Sequence, residues 1–195
     1  LLLYLIFVKE YFMSNKLKNS TFVSIKSRVL YEVAEDAAIL SAESNKVIRE
    51  LTDIMLRDTT IQGVSAPQIG YSVRIAICRY KGFMQVIQNP VVEWKFGSLR
   101  SLERCLSIPD AYFVRRPLIC KISWTDIDGN NVSQVMLYKK ARVFMHEIDH
   151  LNGKCITSGR LYKYTQAALK LMEKQKKKEG KKVDHGANTG NSTKA

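Results

Sequence analysis

The sequence predicts an α+β protein in which antiparallel β-sheets wrap around a central helix. Three observations predict it. Residues 43–57 carry an amphipathic helical period, the middle of the chain alternates like strands between turn residues, and helical spacing returns abruptly near Tyr138 around two histidines.

In the first helix Val47, Ile48, Leu51, Ile54, Met55 and Leu56 recur at three- and four-residue intervals, and Thr59-Thr60 ends the run. Residues 73–80 and 84–88 read as neighbouring strands separated by Lys81-Gly82, with Asn89-Pro90 expected to stop the second. Further strands are expected at 91–96, 112–115, 118–125 and 132–137, the last two joined by a turn at Asp128-Gly129. The second helix then carries Val143, His146, Glu147 and His150, and stops at Asn152-Gly153. A final helix is expected from about Leu161 to Lys177, with Leu161, Tyr164, Ala168, Leu171 and Met172 on its apolar stripe.

A chain of 195 residues needs only one core, and 46% apolar with 25% charged residues can supply it. The domain is expected over residues 16–178, flanked by an extension at 1–15 that need not be native and a disordered basic tail at 179–195. The net charge of +13 favours polyanionic surroundings such as RNA. Much of it lies in Lys174, Lys176, Lys177, Lys178, Lys181 and Lys182, a run whose plainer reading is a solvated tail. Four cysteines without a C-x-x-C pair signal neither a disulfide framework nor a zinc ribbon, and fit a reducing compartment. The apolar run Leu1 to Val8 is too short to span a bilayer and lacks a basic flank, so a cytoplasmic protein with no membrane partner is expected.

His146-Glu147-Ile148-Asp149-His150 is an H-E-x-x-H segment. On a helix its histidines project from one face, one turn apart, and can share one ion, while Glu147 stands close enough to move a proton. A catalytic ion needs a third protein ligand and an open position. The only histidine downstream is His185, in the presumed tail, so the donor is sought upstream, where Cys105 in Glu103-Arg104-Cys105-Leu106-Ser107 is the best candidate. A cysteine met alone is more often a small buried apolar residue.

Three segments in order resemble the peptide deformylase family. Gly63-Val64-Ser65-Ala66-Pro67-Gln68 is similar to its Gly-hydrophobic-Ala-Ala-Pro-Gln stretch, Glu103 to Ser107 to its E-G-C-L-S, and Met145 to Leu151 with Gly153 to its Q-H-E-x-D-H-L-x-G. The resemblance covers about residues 43–155. It implies an enzyme that removes the formyl group from the formyl-methionine of nascent polypeptides and releases formate. It implies Cys105, His146 and His150 as metal ligands, Glu147 as general acid/base, and Gln68 with the Leu106 N–H as oxyanion donors. Gly63, Arg104, Leu106, Lys139 and Val143 are expected around the substrate, and Arg116 is expected to pair with Glu103. Ferrous iron is the expected metal, with zinc or nickel also suited to one thiolate and two imidazoles. A monomer is expected, and the basic segment after Leu161 suggests a dock on the ribosome.

The match departs in places. Arg104 replaces the family's glycine, Met145 its glutamine, and Lys139 and Gln62 stand where it has apolar residues. These leave an alternative, a metal-binding relative with lost or redirected specificity. A general zinc peptidase would leave the upstream cysteine and the Pro-Gln motif unexplained.

Overall fold

The computed structural model describes residues 22–158 and 160–164. The expected extension at 1–15 and tail at 179–195 lie outside them.

Helix α1 (Ala42–Arg57) starts where the Ser41 hydroxyl accepts the Ser44 N–H at 3.0 Å, and Glu43 in its first turn favours the helix dipole. It ends at Asp58, whose carboxylate takes the Thr60 N–H and hydroxyl at 2.8 and 2.6 Å. The strands are β1 (Gly63–Ser65), β2 (Ile75–Tyr80), β3 (Phe83–Phe96), β4 (Leu99–Cys105), β5 (Ile108–Arg116), β6 (Ile119–Thr125), β7 (Asn131–Leu137) and β8 (Arg160–Tyr164). They form a five-stranded sheet in the order β1-β2-β3-β6-β7 and a three-stranded sheet in the order β4-β5-β8, antiparallel throughout. Helix α2 (Tyr138–Leu151) packs against β1, β2 and β7 and reaches β5 of the small sheet.

The alternation of β2 decides which helix lies on which face. Ile75 and Ile77 join the cluster of α1, built on Leu51 and Met55, whereas Ala76 and Cys78 join that of α2, built on Phe144 and Ile148. A strand covered on both faces reads as a continuous apolar run, and Ile75-Ala76-Ile77-Cys78 is one. A third cluster, around Leu30, Ile108, Tyr112 and Cys155, backs the small sheet.

Two expectations are corrected. Asn89-Pro90 does not stop a strand, because β3 runs through it with a register shift between Gln88 and Val91. A proline is tolerated where the ladder is already broken, and Asn89 occupies the break at φ +50° with its amide clamped to the Ala37 backbone at 2.7 and 3.0 Å. The expected helix at 161–177 does not begin where placed: residues 160–164 are β8, pairing Phe113 with Tyr162 and Ala111 with Tyr164. Pairing with the open edge of β5 overrides a helical period that rested on few residues; the rest of that segment lies outside the described residues.

Helix α2 stops at Asn152, and Gly153 turns the chain at φ +67° against Tyr31, where a Cβ would meet the Tyr31 carbonyl oxygen at 2.7 Å. Gly153→Ala is therefore expected to lower stability by about 1–3 kcal/mol in urea unfolding; an unchanged midpoint would show that the turn relaxes freely.

Candidate metal centre

Cys105 closes β4, whose inward residues Ser101, Glu103 and Cys105 alternate with exposed or half-buried ones. The turn Leu106-Ser107 then returns the chain as β5, with Cys105 opposite Ile108. His146 and His150 come from α2, their rings 5.1 Å apart between centroids. The Cys105, His146 and His150 donor atoms all lie within 4.8 Å of one another, and all three residues are buried. The structure thus brings together the three residues expected as ligands.

Hydrogen bonds decide which nitrogens face inward. His146 Nδ1 is 2.9 Å from Glu103 Oε2, leaving Nε2 for an ion. His150 Nε2 is 3.2 Å from the Cys105 sulfur, while its Nδ1 faces Cys155 Sγ at 3.8 Å. Burial, reinforced by the neighbouring His146, holds the His150 ring well below its usual range and therefore neutral, the form that offers a lone pair. Burial would also lower His146, but the Cys105 sulfur and the Glu103 carboxylate outweigh it and favour positive charge, lifting the ring to about 10. One soft sulfur and two imidazoles in a site that favours positive charge fit a divalent transition ion.

Behind the ligands lies a buried ion network. Arg116 donates Nε and Nη2 to the two oxygens of Glu103 at 2.8 and 2.7 Å, and its Nη1 to Asp149. Burial alone would raise the Glu103 carboxyl, yet Arg116 and His146 bring it down to about 2. The expected Glu103–Arg116 pair is present; Asp149, three residues after His146, is an addition that its place on the helix face could have signalled.

Glu147 is buried, and its Oε2 has no hydrogen-bond partner among the described residues. Burial raises its carboxyl to about 7 against the pull of His146, a range suited to exchanging protons near neutrality. It presses on Gly63: a Cβ there would come within 2.8 Å of the Glu147 Cδ, so any larger residue would displace the carboxyl. Gln68 is held by Ser65, whose N–H and hydroxyl both donate to its Oε1 at 2.9 and 3.0 Å. That fixes the amide, because an N–H must face an acceptor, and turns Nε2 toward Cys105 Sγ at 3.4 Å. The motif resemblance assigns Ser65 no role, although Ser-x-x-Gln is a capping pattern that signals one.

A cavity of about 570 Å³ opens beside these groups, its wall taking in Gly63, Gln68, Arg104, Leu106, Val143 and Glu147. Arg104 and Leu106 are exposed at its edge. Lys139, expected in the pocket, is exposed and does not line it. It lies in the first turn of α2, about 10 Å along the axis from His146, beyond the rim; Arg142, one turn before His146, lines the wall instead. Met145 faces the core with the sheet and leaves the cavity untouched.

A family model described as polypeptide deformylase matches residues 20–162. The chain is 31% identical over 130 residues to a peptide deformylase of Rhodopirellula baltica, the alignment covering 64% of each chain. It is 30% identical over 155 residues to peptide deformylase 1 of Bacillus subtilis, covering 77% of this chain and 96% of the relative. Among solved structures it resembles a peptide deformylase from Synechococcus elongatus in complex with actinonin, with a TM-score of 0.69, 26% identity, and coverage of 80% and 85% of the two chains.

Glu103→Gln is expected to weaken metal binding by about 10–100-fold in a competition titration with a chelator, through loss of the charge that orients His146. Unchanged affinity would show that the ring is held without it.

Proposed function

The chain belongs to the polypeptide deformylase family, and we propose that it removes the N-formyl group from the terminal formyl-methionine of nascent polypeptides with Cys105, His146 and His150 as its metal ligands. The observation that carries the proposal is the convergence of the three donor atoms within 4.8 Å, with the Glu147 carboxyl beside them. A divalent ion held there supplies Lewis-acid activation of water and of the formyl carbonyl. Ferrous iron is proposed as the native metal, and the same donors suit zinc or nickel.

Glu147 takes the proton from the attacking water and delivers it to the departing amine, its second oxygen being uncommitted to any other group. Gln68 Nε2 and the Leu106 N–H donate to the oxygen that gains charge as the formyl carbon becomes tetrahedral. Ser65 serves by keeping the Gln68 amide from turning over. The scissile C–N bond then breaks, leaving formate and a free amino terminus. A binding-only relative is not favoured, since ligands, base and amide donor stand together and Arg104 is exposed at the cavity edge rather than folded into the donor triad.

No helix among the described residues is long and apolar enough to cross a membrane. We place the protein in the cytoplasm as a monomer, its lysine-rich segment after Tyr164 resting on ribosomal RNA.

With the ferrous form, formate release from formyl-Met-Ala-Ser is the expected result, and Glu147→Gln should cut kcat/KM by about 10²–10⁴-fold at unchanged metal content. Parental turnover in that variant would remove Glu147 from its role, and silence of the parent would remove the activity. Truncation after Tyr164, which spares β8, should reduce co-sedimentation with ribosomes at moderate salt; equal co-sedimentation would dismiss the dock.

A further inference from the structure

The active-site cavity holds a cation that metal chemistry does not use. Arg142 is half-buried on α2, one turn and so about 6 Å before His146 along the axis, and lines the cavity. Its Nη1 donates to the hydroxyl of buried Ser101 at 3.2 Å, which aims the guanidinium from the helix toward β4. No carboxylate lies within ion-pair distance of Arg142 among the described residues. A half-buried guanidinium without a counter-ion is poorly compensated for its lost water, and it has further N–H donors to offer.

The other charges of the cavity do not answer it. Glu103 is engaged by Arg116 and His146, and Glu147 is packed against Gly63. Asp58 stands fully exposed with its carboxylate bonded to Thr60. Arg104 adds a second cation to the wall, and Gln62 a neutral polar group. Leu102, Ile108 and Val143 add apolar surface to the wall. A wall of mixed polarity, with apolar side chains beside a guanidinium, accepts an alkyl stem that ends in a carboxylate.

We propose that Arg142 is a specificity-determining residue that receives a carboxylate on the side chain of the formylated residue, extending the substrates to N-formyl peptides whose first residue is acidic. The proposal rests on the deformylase reading only for where the formyl group sits. With that group at the ligand triad, the side chain leaves a carbon two bonds away and enters the cavity whose wall Arg142 shares with Cys105 and His146. Glutamate is close in length to methionine, so both fill the same space, but only glutamate supplies the charge that Arg142 lacks.

Formyl-Glu-Ala-Ser and formyl-Met-Ala-Ser test this in two measurements. Calorimetric titration into metal-loaded Glu147→Gln protein reads binding without turnover, and formate release by the wild-type holoprotein reads activity. The Glu peptide should bind within tenfold of the Met peptide or tighter. Adding Arg142→Leu should weaken the Glu peptide at least tenfold relative to the Met peptide, while Arg142→Lys keeps part of the preference. A Glu peptide more than tenfold weaker than the Met peptide in the parent, or a smaller change in their ratio on Arg142→Leu, would overturn the proposal. Arg142→Lys keeps the test open should Arg142→Leu fail to fold: a Lys variant with an unshifted ratio and the parent preferring Met would also overturn it. Formate from the Met peptide without the Arg142-dependent preference would leave the deformylase reading standing alone. The preference without formate from either peptide would do the reverse.

Discussion

The buried ion network of Glu103, Arg116, Asp149 and His146 is the constraint on which the rest of the structure depends. Glu103 and Arg116 lie on the paired strands of the small sheet, whereas Asp149 and His146 lie on the helix that packs against the large one. The two sheets share no strand pairing, so their relation is set by what bridges them. The buried Glu103–Arg116 pair, flanked by His146 and the half-buried Asp149, tolerates little displacement, because separating it leaves a charge in a medium that solvates it badly. The network need not add much net stability to act this way. It makes one arrangement far better than its neighbours, and that arrangement sets Cys105 against His150.

The donor geometry is thereby inherited from packing that extends well beyond the ligands. Phe144 and Ile148 hold the outer face of the helix against the large sheet, which orients the opposite face toward β4. The β1 strand contributes through glycine: its backbone comes so near the helix that the Glu147 carboxyl occupies the space of a side chain. Burial of that carboxyl and its raised affinity for a proton share this cause. Close approach, rather than any special partner, sets the proton affinity of the Glu147 carboxyl.

Much of this was legible in the sequence. The H-E-x-x-H spacing required a helix, Asn152-Gly153 marked its end, and three motifs in order pointed to the upstream cysteine that the fold brings beside the two histidines. What escaped depended on neighbours distant in sequence. Asn89-Pro90 reads as a stop until the Ala37 backbone clamps the asparagine into a break within one continuous strand. Residues 160–164 read as helical until the edge of β5 is there to pair with them. Lys139 and Arg142 occupy one helix face, and periodicity alone could not say that the cavity ends between them. Ser65 is invisible as a functional residue because its contribution is to fix the orientation of another side chain.

The separation of the ligands along the chain has a kinetic consequence. Cys105 and His150 stand 45 positions apart, on elements that must each be built before the sulfur can meet the ring. The helix and the large sheet share a core of their own, while Cys105 is carried by the small sheet. An ion held by these donors would add a second tie beside the ion network, slowing reopening of that contact. Loss of metal and loosening of the small sheet should therefore be a single event, seen from two sides.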